Sequence, residues 1–140
     1  MSRTHKLSWA AGFFDGEGYV VIQKRSHPKY TGYYLRIGIN HVAIEPLLEM
    51  QRLFGGTIQK QDSSTVVGNR KPRHRWVTST GNAGETLKQM LPYMHNKTKV
   101  AGLALDFQAT MGLRAVKTSD ETQAQREWFK SEITRLNSLD

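Results

Sequence analysis

Two neighbouring stretches near the start of the chain alternate between apolar and polar positions. Residues 19–27 and Tyr33–Asn40 both have this period of two, which is typical of strands that bury one face. The segment between them, His27–Gly32, contains Pro28 and ends in glycine, a composition that favours a turn. The pattern predicts a hairpin whose core-facing residues are Val20, Ile22, Leu35, Ile37 and Ile39.

Elsewhere the apolar residues form short runs or follow helical spacing. Two runs, Thr57–Gln61 and Arg73–Thr78, predict two further strands with Trp76 turned inward, separated by a polar loop at 62–71. Apolar residues three and four apart predict five helices, at Leu7–Phe14, Ile44–Phe54, Ala83–Met94, Val100–Gly112 and Asp120–Leu139. The apolar side of the last helix is expected to contain Trp128, Phe129, Ile133 and Leu136.

The order of these elements predicts an α+β fold. Helix, two strands, helix, two strands and further helices make an α-β-β-α-β-β-α order, which favours one four-stranded antiparallel sheet with its helices on one face. A length of 140 residues is that of one domain. We therefore expect a single domain over 1–140, with its core at about 7–112 and a C-terminal helix at about 120–139.

The net charge of +8 is concentrated in the predicted strands. Residues 19–40 contain no acid, and residues 56–80 contain Asp62 alone. The cations of these two segments are Lys24, Arg25, Lys29, Arg36, Lys60, Arg70, Lys71, Arg73 and Arg75. A basic sheet face is the electrostatic footprint of a polyanionic partner.

Three absences narrow the class of protein. No apolar run reaches the roughly 20 residues of a membrane helix, so no membrane partner is expected. Residues 1–6 are not followed by a long apolar stretch, which argues against a secretory signal. The chain has no cysteine, which excludes disulfides and cysteine-ligated zinc and suits a reducing compartment. We expect an intracellular protein, in a prokaryotic or phage-derived setting or inside an organelle.

The first predicted helix carries a stripe of small residues. Gly12 costs about 1 kcal/mol relative to alanine inside a helix, and close approach of a second backbone would offset that cost. The bulky residues Trp9, Phe13 and Phe14 are expected on another side, towards the core. Spacing i, i+3, i+4, i+7 places on the small stripe Ser8, Ala11, Gly12 and Asp15.

Two carboxylates lie at the end of this helix, where negative charge is electrostatically unfavourable. Asp15 and Glu17 lie at the C-terminal end of the helix, where the helix dipole favours cations. Gly16 and Gly18 suit a helix end, whereas the acids do not. A hard cation such as Mg²⁺ prefers carboxylate and carbonyl oxygens and would stabilise this arrangement. A purely structural role for Asp15 stays open.

The segment Ala10–Gly18 resembles the signature motif of the LAGLIDADG homing endonucleases, position for position. Ala10 stands in place of the usual leucine, Phe13 and Phe14 in place of leucine and isoleucine, and Glu17 where the family has Asp or Glu. A dinucleotide fingerprint fits poorly, because the glycines follow a helix and no third glycine is present.

The resemblance, which covers about residues 7–112, implies a saddle-shaped sheet and a site-specific double-strand DNA endonuclease active in intron homing. One motif implies a homodimer; Val100–Asp106 imitates a second copy, but Asp106 comes one residue late and no Gly-acid-Gly follows it. The implied target is long and near-palindromic. The implied cofactor is Mg²⁺ or Mn²⁺, held by Glu17 and the Gly16 carbonyl, and the small stripe is the implied dimer interface.

The resemblance also implies catalytic residues outside the motif. Lys97 matches a family lysine that lies just before the fourth helix and reaches the active site, and Lys99 is its neighbour. Its expected role is to polarise the attacking water or stabilise charge on the phosphate. His41 falls where the family often has Gln, and it would hold a water, act as a weak base or cap the helix. Glu45 departs from a basic residue of some relatives.

The outward strand positions are expected to read DNA bases, because Arg pairs with guanine and Gln with adenine in the major groove. The predicted DNA-contacting residues are Gln23, Arg25, His27, Lys29, Tyr34, Arg36, Asn40, Gln59, Gln61, Arg70, Arg73, Arg75 and Lys99. Two alternatives stay open on the same fold: an RNA-splicing maturase and a non-catalytic DNA-binding regulator.

Overall fold

The protein was analysed as a computed structural model, which describes residues 2–61, 72–111 and 119–139. Helices and strands follow the predicted α-β-β-α-β-β-α order, so the α+β prediction is confirmed. A short 3-10 helix, Leu91–Tyr93, follows the third α-helix. The elements are α1 Arg3–Glu17, β1 Gly18–His27, β2 Tyr30–His41, α2 Glu45–Phe54, β3 Thr57–Lys60, β4 His74–Ser79, α3 Thr80–Met90, α4 Thr98–Ala109 and α5 Asp120–Asn137.

The four strands form one antiparallel sheet in the order β1-β2-β4-β3. β1 pairs with β2 from Gly18 opposite Ile39 to His27 opposite Tyr30. β4 pairs only with the Arg36–His41 end of β2, and β3 pairs with β4. Residues 22–35 of the hairpin therefore extend beyond β4 as a two-stranded segment, called the ribbon below.

The inner face of the sheet builds the core together with the helices. All five strand residues predicted to face inward are at most 5% exposed. Trp76 is fully buried, as predicted, and its indole N–H donates to the Gly55 carbonyl at 2.8 Å. Fully burying one large apolar side chain contributes roughly 1.5–3 kcal/mol. The helices cover this apolar face of the sheet, and the opposite face is left for other contacts.

A pair of glycines ends α2 and leads into β3. Gly55 and Gly56 have φ angles of 74° and 89°, which L side chains rarely adopt. A Cβ atom added at Gly56 would lie 2.6 Å from the Val77 carbonyl oxygen. The close approach of this turn to β4 therefore requires glycine.

The side-chain orientation of two tryptophans differs from the prediction. Trp9 is 40% exposed and stacks on Phe13 with ring centroids 5.4 Å apart. Trp128 is 55% exposed and meets Phe129 edge-on, whereas Phe129 itself is buried. In each helix the buried aromatic residue is a phenylalanine, Phe14 in α1 and Phe129 in α5, and the tryptophan is exposed.

Ala11 also differs from its predicted place on the small stripe of α1. The helix is longer than predicted, beginning at Arg3 after the N-cap Ser2, and it continues through Glu17. Its buried side, which packs towards α3 and the 3-10 helix, consists of Ala10, Ala11 and Phe14. Ala11 is 0% exposed within the chain, so its side chain is unavailable to a second protomer.

In the parts of the chain that the structure describes, no helix is both long and apolar enough to cross a membrane.

Candidate active site and nucleic-acid interface

The candidate site begins where α1 passes directly into β1. Glu17 is the last residue of the helix and Gly18 the first of the strand. The Gly18 N–H donates to the Phe14 carbonyl and closes the helix end. A Cβ atom at Gly18 would lie 2.4 Å from the Phe14 ring, so only glycine fits. This junction leaves Gly16 and the Glu17 side chain exposed.

Asp15 ties the end of α1 to the segment before α4. One carboxylate oxygen accepts the His95 backbone N–H at 2.6 Å, and the other accepts the Lys97 backbone N–H at 3.0 Å. Both oxygens are thus used within the chain. This arrangement agrees with a structural role for Asp15 and leaves Glu17 as the exposed carboxylate of the motif.

Lys97 extends to the same helix end. It is the N-cap residue of α4, and its ammonium donates to the Asp15 carbonyl at 2.9 Å. The Asn96 side-chain amide donates to the same carbonyl at 3.3 Å. A cation at a helix C-terminus is electrostatically favourable. The structure therefore brings Lys97 to the motif, whereas Lys99 is exposed in the first turn of α4.

His41 is the last residue of β2, directly before the turn that leads to α2. The Ala43 backbone N–H donates to His41 Nδ1 at 3.0 Å, and the imidazole meets the Phe13 ring edge-on at 5.6 Å. The same Nδ1 also lies 3.3 Å from the Ala43 carbonyl oxygen, so this nitrogen makes the contacts of a turn-forming side chain. The other ring nitrogen, Nε2, is left for other contacts.

The donors at the end of α1 suit a hard divalent cation in chemistry. Glu17 offers a carboxylate beside backbone carbonyls at the negative end of a helix dipole. Among the described residues, no three His, Cys, Asp or Glu side chains come together as a metal cage. Mg²⁺ is commonly bound by one or two carboxylates together with substrate phosphates. The residues present therefore fit a metal that is completed by a second carboxylate or by DNA.

The outer face of the sheet collects polar residues into rows. Asn40 lies opposite Arg75 on β4, and Arg75 lies opposite Gln59 on β3. The Arg75 guanidinium donates to the Asn40 side-chain oxygen at 2.9 Å. Three predicted DNA-contacting residues thus form one line across the strands, with the arginine held in place by its neighbour.

A second group lies on the ribbon. Gln23 is directly opposite Tyr34, and the Arg25 guanidinium lies 5.4 Å from the centre of the Tyr34 ring. At the tip, the Lys29 backbone N–H donates to His27 Nδ1 at 3.4 Å. A stacked guanidinium keeps most of its N–H donors available while its plane is oriented.

The remaining predicted contacts are distributed over the same face and its margins. Arg36 is half-buried between Val21 and Ser79 in the register. The Gln61 backbone N–H donates to the Arg73 carbonyl at 2.9 Å, just beyond β3 and β4. Arg70 lies outside the described residues. The strands as described contain cations and no acid, so this face is basic.

Sequence reasoning missed two features of the sheet, one on its outer face and one on the inner side of the ribbon. The Tyr19 hydroxyl lies across Gly38, where an added Cβ would be only 2.5 Å from it. On the inner side of the ribbon, Glu127 of α5 accepts a hydrogen bond from the Tyr33 hydroxyl at 2.6 Å and pairs with Lys24 at 3.2 Å. Both depend on strand register or on residues distant in sequence, and no local pattern indicates them.

Solved structures of homing endonucleases share this architecture. A structure of I-CvuI with DNA superposes with a TM-score of 0.79 at 20% identity, over 95% of this chain and 82% of that one. The archaeal intron-encoded I-Vdi141I, also with DNA, gives a TM-score of 0.79 at 12% identity, over 96% and 86%. The meganuclease I-SmaMI gives 0.69 at 14% identity, over 89% of this chain and 43% of that one.

Neither a protein-family model nor a curated protein matches the sequence. The structural comparisons therefore rest on the arrangement of helices and strands. On that ground, the chain has the homing endonuclease fold.

Proposed function

We propose that this protein is a site-specific double-strand DNA endonuclease that acts as a homodimer with a divalent metal. The observation that carries the proposal is the end of α1, where the exposed Glu17 follows a carbonyl bound by the Lys97 ammonium. This carboxylate and cation belong to a homing endonuclease fold with a basic sheet face. A hydrolytic phosphodiester site needs these two kinds of group.

The exposed side of α1 supports the homodimer. With Ala11 in the core, its small residues are Ser8, Gly12 and Gly16, all exposed. A Cβ atom at Gly12 or Gly16 would meet nothing within 4 Å in the chain itself, so local packing does not explain either glycine. Close contact with α1 of a second copy across a two-fold axis does explain them. The chain also spans about half the length of I-SmaMI.

The two-fold contact would bring together two Glu17 side chains, one from each protomer. Glu17 and the Gly16 carbonyl would then hold the metal, together with oxygen atoms of the scissile phosphate. The chemistry that a bound divalent cation supplies is a lowered pKa of its water and stabilisation of the leaving oxygen. The I-CvuI complexes were obtained with 2 mM Mg or 2 mM Ca.

Lys97 would stabilise the phosphate electrostatically. An ammonium has three N–H donors, and the Asp15 carbonyl takes one of them. The other donors are available to a phosphate oxygen or to the attacking water, and the bond to α1 holds the charge in one place. His41 would offer its Nε2 atom to a water or phosphate at the same end of the fold.

The outer face of the sheet would read the DNA. Arg25 and Gln23 on the ribbon, and Gln59, Arg75 and Asn40 in the row across the strands, are residue types that pair with base edges in the major groove. Lys29 at the ribbon tip would contact phosphates, which contribute affinity and salt dependence without sequence information.

Cleavage of a randomised DNA library tests the function. We expect Mg²⁺-dependent double-strand cleavage at one selected sequence, and no cleavage with EDTA. Glu17→Gln should abolish cleavage while leaving DNA affinity within about tenfold, because the amide keeps the shape and removes the charge. Glu85→Gln, an exposed carboxylate on α3 with the same change of charge, should cleave like the wild type.

Binding assays with DNA and with RNA, run beside the cleavage assay, separate the alternatives. Sequence-specific DNA binding without cleavage under any metal would indicate a regulator. Binding to a structured intron RNA in preference to DNA would indicate a maturase. Retained Mg²⁺-dependent cleavage by Glu17→Gln would remove Glu17 from the site.

A further inference from the structure

The ribbon, residues 22–35, lacks the support that the rest of the sheet receives from neighbouring strands. Beyond the register pair Ile22–Leu35, β2 has no partner other than β1 within the described strands, because β4 begins its pairing at Arg36. An isolated two-stranded hairpin is marginally stable in water. Its orientation must therefore be set by whatever packs against its inner side.

That support comes from α5, and near the middle of the ribbon it is polar. The Tyr33 hydroxyl donates to the Glu127 carboxylate at 2.6 Å, and the Lys24 ammonium lies 3.2 Å from the same oxygen. The Lys24 ammonium also lies 5.7 Å from the centre of the Tyr33 ring. One turn away on the helix, the Gln123 side-chain amide donates to the Thr31 carbonyl at 3.2 Å. A single carboxylate thus holds both strands.

Charge strengthens this contact. Two hydrogen bonds lower the pKa of Glu127 and favour its ionised form. The larger effect comes from Tyr33 and the smaller one from Lys24. The hydrogen bond with Glu127 raises the pKa of Lys24, and burial raises the pKa of Tyr33. Charge-assisted hydrogen bonds are shorter and stronger than neutral ones.

The two residues held by Glu127 are direct neighbours of the base-reading group. Lys24 and Tyr33 are opposite each other in the register, and the adjacent pair is Gln23 with Tyr34. Successive side chains alternate between faces, so a shift of the inner pair moves the outer pair with it. Arg25 stacks on Tyr34 and would follow the same shift.

We propose that Glu127 is a positioning residue for base recognition, which fixes the orientation of the ribbon through Tyr33 and Lys24. This inference rests on the proposed function, since it assigns to α5 a part in the sequence preference of the endonuclease. Glu127 makes no contact with DNA in this role. It positions the outer side chains of the ribbon, such as Gln23 and Arg25, which would contact the DNA.

Two variants and a matched control test the role. Glu127→Ala removes the carboxylate, and Tyr33→Phe removes only the hydroxyl that donates to it. The control is Glu132→Ala, which breaks a different ion pair of the same helix, with Arg135, and makes the same change of charge. Amide hydrogen exchange of residues 22–35 and the profile of cleaved DNA sequences are measured for each protein.

We expect ribbon amides to exchange about threefold to tenfold faster in Glu127→Ala and Tyr33→Phe, the range for losing one such interaction. Sequence preference should fall at the base positions that Arg25→Ala relaxes and persist at those that Arg75→Ala relaxes. Unchanged ribbon exchange, an equal loss at both sets of positions, or the same effects in Glu132→Ala would overturn the proposal.

The outcome is separable from that of the proposed function. A wild type without any sequence preference overturns the endonuclease and the recognition role together. In that case, faster ribbon exchange in Glu127→Ala and Tyr33→Phe, but not in Glu132→Ala, would still support the positioning of the ribbon by α5.

Discussion

At the end of α1, each oxygen of Asp15 has its own partner. The two carboxylate oxygens accept hydrogen bonds from the backbone N–H groups of His95 and Lys97. The backbone carbonyl of Asp15 accepts one from the Lys97 ammonium. One residue therefore joins two helix ends and orients the lysine. The next acid, Glu17, is left exposed at the position where negative charge is least favourable for the helix. Asp15 is therefore engaged within the chain, and Glu17 is the acid of the motif that we propose to hold the metal.

Replacing Asp15 should affect folding before it affects metal binding. Asp15→Ala leaves two backbone N–H groups without their acceptor, and losing such bonds costs about 1–3 kcal/mol. Urea unfolding should show this loss, whereas Asp106→Ala, which removes an exposed acid of α4, should not. Unchanged stability combined with a weakened Mg²⁺ requirement would instead make Asp15 a metal ligand.

Lys97 and Lys99 offer a matched pair for testing catalysis. Lys97→Met should reduce the cleavage rate about a hundredfold at saturating enzyme, the usual cost of removing one electrostatic stabiliser. DNA affinity should change little, because the charge that Lys97 would stabilise develops in the transition state and not in the bound complex. Lys99→Met should weaken affinity and leave the rate unchanged. Equal rate losses in single-turnover assays of both variants would contradict a special role for Lys97.

At the scale of the element, α1 buries one side in its own core and leaves another side exposed. Ala10, Ala11 and Phe14 are fully buried, whereas Gly12 and Gly16 are exposed. A helix with an exposed glycine in its interior is less stable by about 1 kcal/mol than one with alanine. The close contact between two α1 helices that we propose would offset this cost.

Gly12→Leu should therefore separate folding from assembly. The chain has open space at this position, and leucine is a better helix former than glycine, so the monomer should be at least as stable. Across a two-fold axis the same side chain would force two backbones apart, and overpacking costs about 1–3 kcal/mol. Sedimentation should show a dimer for the wild type and for Gly81→Leu, and a monomer for Gly12→Leu. A monomeric wild type at micromolar concentration would defeat the two-fold arrangement.

At the scale of the whole molecule, two identical sheets would meet two similar half-sites. A symmetric dimer reads a target whose halves mirror its own axis. The selected sequence should be close to palindromic, and Arg25→Ala should relax the same position in both halves, by roughly 1–3 kcal/mol of discrimination. Lys29→Ala should weaken all sequences alike and reduce the salt dependence of binding. A profile without two-fold symmetry would exclude this geometry.

Several features of the protein follow from the sequence by itself. The alternation in β1 and β2 determines which residues are buried, because the period of two is a local property of the extended chain. The same reasoning correctly turned Trp76 inward and left Arg75 and Gln59 outside. The motif at the end of α1 was recognisable because its glycines and acids are consecutive, so no long-range contact is needed to bring them together.

Other features were decided only by tertiary structure. The side of α1 that faces the core depends on α3 and the 3-10 helix, and this is why Ala11 is inside and Trp9 outside. The bonds that give Asp15 its structural role reach residues 80 positions away or more. The support of the ribbon by Glu127 spans 94 positions. A local pattern determines the faces of an element, but which element covers each face is settled by packing across the whole chain.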